Sequence, residues 1–104
     1  MERLCQIFRI ARGTEEEFTR RHVEIWPEMV TAMRAAGFQN YSLFRRGLEV
    51  IGYSECHPDV ATCFTRFADH AVGARWQASM EGIVLDLTDA SGELHRFFED
   101  WHLD

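Results

Sequence analysis

The stretch that decides the fold is Phe18–Glu28, FTRRHVEIWPE. It has the spacing of a helix, yet Pro27 sits inside it. Proline has no backbone N–H, and its ring clashes with the carbonyl four residues back, here that of Val23. The preceding residue, Trp26, is pushed out of helical geometry as well. The segment is therefore predicted to kink or restart between Val23 and Pro27. Such a break re-aims side chains, and His22 stands just before it. Histidine is the side chain that titrates near neutral pH. A histidine four residues after Phe18 and four before Trp26, beside a helix break, is a candidate reactive centre. The ordinary alternative is a half-buried helix histidine bonded to a carbonyl.

Outward from this segment the chain punctuates itself clearly. Residues 3–11 read as a strand, with Leu4, Phe8 and Ile10 on one face and Cys5 and Ile7 on the other. Gly13 turns the chain. Thr14-Glu15-Glu16-Glu17 opens the helix with capping-box spacing and acidic residues at its positive end. Phe18, His22, Ile25, Met29 and Met33 recur at three or four residues and give one inward face. Gly37 is placed as a left-handed cap. Strands follow at 38–45 and 48–56, joined by a turn at Arg46-Gly47. Alternation groups Gln39 with Tyr41 and Leu43. Gly52, inside the second of these strands, points to a close approach of backbone or ligand.

His57-Pro58-Asp59 starts another helix, with Pro58 near its first turn and Val60, Cys63, Phe64 and Phe67 as its buried stripe. The pattern falters at Asp69-His70 and resumes as a shorter helix from Val72 to Met80. Residues 94–103 alternate well and read as a fourth strand. The order β-α-β-β-α-β makes one α+β domain over residues 1–104, with a ferredoxin-like four-stranded antiparallel sheet and helices on one face. The other sheet face is also apolar and needs a cover, most simply a second copy of the chain or a bound ligand.

Composition removes several functions. The chain has 104 residues, 46% of them hydrophobic, enough for one real core. Eleven basic residues against 17 acidic ones leave a charge of −6. All the basic residues are arginines, and they are scattered, which argues against nucleic-acid or membrane partners. Cys5, Cys56 and Cys63 form no CxxC pair, and the odd count suggests reduced thiols in the cytoplasm. No nucleophile motif, phosphate-binding loop or metal-ligand spacing is present. Of the other histidines, His57, His70 and His102 read as solvated or capping groups, and His95 as a strand core residue. Trp26, Tyr41, Tyr53 and Trp76 each join a flat apolar body to a polar handle. Such a set suits a small sugar; plain core packing is the alternative.

Residues 20–29, RRHVEIWPEM, with Asn40-Tyr41-Ser42, Arg75-Trp76 and Met80 at this mutual spacing, resemble the L-rhamnose mutarotase family. Length and the Trp101-His102-Leu103 ending agree. The resemblance implies a dimeric α+β barrel that interconverts sugar anomers without a cofactor. It implies His22 as the catalytic acid and Tyr41 and Trp76 as sugar contacts. The chain departs from the family pattern at Phe18, usually a sugar-binding tyrosine, and at Gln77, usually a second tryptophan. Residues 87–92, LTDASG, replace a proline-containing loop. These departures bear on which 6-deoxy-L-sugar is taken, L-rhamnose or L-fucose. Glu28 or a water is a possible proton partner for His22, although surface pairing is the ordinary role of such a glutamate. Cofactor-free or haem-degrading monooxygenases and silent ligand-binding subunits share the expected fold and remain alternatives.

Overall fold

A computed structural model describes residues 1–104. The elements are β1 (Glu2–Ile10), α1 (Glu15–Val23), α2 (Pro27–Ala36), β2 (Phe38–Arg46), β3 (Glu49–Cys56), α3 (Val60–Phe67), α4 (Ala71–Ser79), β4 (Val84–Leu85) and β5 (Arg96–Phe97). The sheet is antiparallel in the order β2-β3-β1-β4, with β5 also on β1. This is the ferredoxin-like order, with its fourth strand divided. β4 pairs with Arg9 and Ile10, whereas β5 pairs with Cys5 and Gln6.

The helix break falls where proline demands it. α1 ends at Val23, and Trp26 caps α2 in an extended conformation with ψ of 131°. Pro27 is the first residue of α2, where its missing N–H has no helical partner to lose. At the far end Gly37 takes φ of +109°. A Cβ there would lie 2.1 Å from the His57 carbonyl oxygen, so this site requires glycine twice over.

The helices cover one face of the sheet. Leu4, Phe8 and Ile10 of β1 and Val50 and Cys56 of β3 are buried beneath them. The opposite face remains open, with Phe44 62% and Ile51 41% exposed.

Four local expectations need correction. The continuous strand over 94–103 is absent: only Arg96–Phe97 pairs, and residues 98–104 have no regular structure. Alternation alone does not secure a strand: beyond Phe97 no neighbour pairs with the backbone, and Phe98, Trp101 and Leu103 are all largely exposed. Side chains hold this segment instead. Arg3 bonds Glu99 and His102 at 3.1 Å each, and Arg96 lies 4.3 Å over the Phe98 ring.

The capping box at Thr14 is also absent. Its hydroxyl donates to the Ala11 carbonyl, while Glu17 is taken by Arg20 and Arg21. In α3 Pro58 lies near the first turn as expected, just before the cap Asp59, which accepts from the Thr62 N–H at 2.7 Å. Phe64 of the expected buried stripe is 38% exposed. Finally, a bulge between Gln39 and Ser42 shifts the register of β2. Gln39 opposes Glu55, but Leu43 opposes Gly52, so the two do not share a face. Asn40 makes the bulge, with φ of +48°, a region asparagine tolerates better than most residues.

Candidate active site

A cavity of about 630 Å³ opens between the α1–α2 break and β2. Phe18, His22, Tyr41 and Trp76, four of the five site residues expected from sequence, line it together. Gln77 does not: it is exposed on α4, outside the cavity lining.

Each wall has a local cause. α1 delivers Phe18 and His22 on one side because they are four residues apart. α4 delivers Trp76. Arg21 ties these helices, donating to the Ser79 carbonyl and to Glu17. The bulge at Asn40 turns the edge strand so that Tyr41 faces the cavity, an ordinary use of a bulge beside a site. Asn40 itself is held by Glu55, donating at 2.7 Å.

His22 is fixed in a defined state. Its Nδ1 lies 2.9 Å from the Phe18 carbonyl oxygen. A carbonyl only accepts, so Nδ1 carries a proton and donates it. In the neutral ring that leaves the lone pair on Nε2. The ring is wedged between Phe18, at 4.5 Å between centroids, and the edge of Trp76, at 5.4 Å. Trp26 packs edge to face with Trp76 at 5.1 Å and does not itself line the cavity.

Tyr41 supplies the second polar group. Although 42% of its surface is open, crowding by surrounding atoms desolvates the phenol and raises its pKa from the ordinary value near 10. Tyr41 is therefore a neutral hydroxyl at physiological pH, able to donate and accept. Phe18, only 4% exposed, offers a ring and no hydroxyl. Ile25, Met29 and Met33 make the rest of the apolar wall, and Gln39 and Asn40 add polar atoms at β2. Sequence reading did not assign Gln39 and Asn40 to the site, since the bulge that brings them there is invisible in simple alternation. A strand-disfavoured asparagine in the middle of β2 was the available signal.

Other candidates fall elsewhere. Tyr53 lies on the open sheet face, bonded to Arg3 and Glu55. Glu28 is an exposed partner of Arg75 at 2.7 Å and does not line the cavity. His95, read as a core residue, is exposed. No three His, Cys, Asp or Glu side chains cluster as metal ligands would.

This geometry is accompanied by a family match along almost the whole chain. The L-rhamnose mutarotase family profile matches residues 3–102. The chain belongs to the L-rhamnose mutarotase family. The L-rhamnose mutarotase of Lactiplantibacillus plantarum is 35% identical, with both chains covered completely. That of Listeria monocytogenes is 48% identical over 81% of each chain. Among solved structures, L-rhamnose mutarotase from Formosa agariphila superposes over both whole chains with a TM-score of 0.78 at 17% identity, a likeness of fold. The monooxygenase and silent-subunit alternatives find no support among these mutarotases.

Proposed function

We propose that this chain is an isomerase that interconverts the α and β anomers of L-rhamnose, with His22 moving the proton. The observation that carries the reading is the His22 imidazole. Its Nδ1–H is committed to the Phe18 carbonyl, and the ring borders a cavity walled by aromatic side chains.

The chemistry needs little more. Nε2 takes the proton from the anomeric hydroxyl. The C1–O5 bond breaks, C1=O1 forms, and the imidazolium returns the proton to O5. The open aldehyde rotates about C1–C2 and recloses by the reverse steps on its other face. O1 and O5 are both bonded to C1, so one nitrogen can serve both. The Nδ1–H bond persists in the neutral and cationic rings, which keeps the imidazole from turning during the cycle. A positioned acid–base of this kind contributes about 10²–10⁴-fold. Tyr41 is suited to hold a hydroxyl, and Phe18 and Trp76 to stack on C–H faces.

The same reading makes the protein a cytoplasmic homodimer. Three unpaired cysteines support a reducing compartment. A lateral apolar row, Phe44–Ile51–Ile7 across β2, β3 and β1 on the open face, supports a second copy as its cover. Saturation-transfer NMR of the purified protein with L-rhamnose, L-fucose and D-glucose tests the function. Exchange between anomers should be fastest for L-rhamnose, slower for L-fucose because the two differ in hydroxyl configuration, and absent for D-glucose. Failure to accelerate either deoxy sugar would refute the assignment.

A further inference from the structure

One amide is buried in the mainly apolar inner face of the sheet, where Ser54 is the other buried polar side chain. Gln6 lies on β1 between Leu4 and Phe8 and is 7% exposed, yet its Oε1 has no hydrogen-bond partner. Leaving such a group unpaired is costly enough that native structures rarely do so without a reason. The nearest cross-strand donor does not serve it. Arg96 opposes Gln6 on β5, but its guanidinium faces Glu2 at 3.7 Å and the Phe98 ring, and its own Nε is unpaired.

The neighbours of Gln6 lead to the cavity. Leu43, Gly52 and Gln6 form one lateral row across β2, β3 and β1. Gly52 has no side chain, and Gln6 leans into the space this leaves. A Cβ on Gly52 would lie 3.2 Å from Gln6 Cγ, 3.4 Å from Gln6 Nε2 and 3.4 Å from Leu43 Cδ2. The Nε2 end of the amide and Leu43 Cδ2 thus border the same space over Gly52, and Leu43 lines the cavity.

The core is divided around this row. One cluster contains Leu4 and Phe38, a second Phe8 and Phe18, and a third Met29 and Val72. Phe38, Phe18 and Met29, one from each cluster, all line the cavity. The cavity therefore enters where the three clusters meet, over the Leu43–Gly52–Gln6 row.

We propose that Gln6 is a further sugar-binding residue, whose carboxamide takes a hydroxyl of the bound sugar at the inner end of the cavity. Rotation of the Leu43 side chain opens the amide to the ligand. The inference rests on the mutarotase reading and adds a specificity contact to it. A hydroxyl matched by a buried polar group is discriminated far more sharply than one set against an apolar wall.

The test uses Gln6→Met, which keeps length and removes the amide. Calorimetric titration with L-rhamnose should show about tenfold weaker binding, as expected for one lost hydrogen bond of ordinary strength. The unliganded variant should melt no lower than the parent, because an unpaired buried group has been removed. Among the 2-, 3- and 4-deoxy analogues of L-rhamnose, one should bind parent and variant equally. In the unmodified protein, the side-chain NH₂ signals of Gln6 should shift when L-rhamnose binds, a readout that does not depend on the variant folding. Equal affinities in parent and variant, or unmoved Gln6 signals in a sugar-bound protein, would overturn the inference alone. A parent protein that binds no deoxy sugar would overturn the mutarotase reading with it.

Discussion

The two faces of the sheet carry comparable apolar side chains and meet different fates. On the inner face, Leu4, Phe8, Ile10 and Val50 are buried under helices of the same chain. On the outer face, Ile7 opposes Ile51, which opposes Phe44, and the last two are exposed. Hydrophobicity alone does not distinguish them. The inner face is completed by sequence-local devices: the break at Pro27, the cap at Gly37 and the cap at Asp59. The C-terminal segment meets the outer face at Arg3, through Glu99 and His102, and leaves Phe44 and Ile51 exposed. The inner face thus borders the cavity, whereas Phe44 and Ile51 of the outer face stay open.

The strongest way to break this comparison is to delete from each face in turn. Phe8→Ala should lower unfolding free energy by about 3–5 kcal/mol, the usual loss for a buried phenylalanine. Urea unfolding would measure it; a loss under about 1 kcal/mol would mean the inner face is not the core. On the outer face, Ile51→Asp should convert a dimer to monomer in sedimentation equilibrium while retaining the parent circular-dichroism spectrum. A parent protein that sediments as a monomer at micromolar concentration would remove the partner from the account.

A subtler change sharpens the inner half. Pro27→Ala restores an N–H and relieves the clash at the Val23 carbonyl, so α1 can continue toward α2. The expected result is a fall in anomer exchange with little change in melting temperature, because His22 is misplaced while the core persists. Parent-like exchange would make the break purely architectural.

The smallest expected effect is on the solvent side of α1. Arg20, and then Arg21, hold the Glu17 carboxylate down to about 2 from an ordinary value of 4.5. A depressed folded-state pKa stabilises above the unfolded value, and the contribution fades as pH falls from about 4.5 to about 2. Exposure to solvent keeps this small. Glu17→Gln should therefore flatten the acid limb of a melting-temperature profile slightly and leave pH 7 exchange untouched. An unchanged acid limb would show that these ion pairs are too solvated to matter.

The sequence was readable where covalent geometry or burial enforces its pattern. Pro27 must break a helix, and α1 and α2 part there. β1 and β3 were legible because their alternation coincides with a buried face. Phe18 and His22 were legible as a pair through helical spacing, while Tyr41 and Trp76 also drew on the family resemblance. The 94–103 strand misled because alternation there has no burial behind it. The Asn40 bulge escaped because one inserted residue changes the phase of β2 without changing its composition. Gln77 was transferred by position, whereas α4 turns adjacent residues to different sides and leaves it on the surface. Gln6 was passed over because a single glutamine in a strand says nothing about whether its amide finds a partner.

The central claim is that His22 moves the proton, and saturation-transfer NMR on L-rhamnose with two variants tests it most directly. His22→Ala removes the imidazole; His22→Gln keeps a hydrogen-bonding side chain that cannot cycle a proton. Both should fold, since losing a half-buried histidine costs about 1–2 kcal/mol. Both should lose about 10²–10⁴-fold in exchange rate, and His22→Gln should still bind the sugar. Two folded variants exchanging anomers at the parent rate would contradict that claim and leave His22 a packing residue.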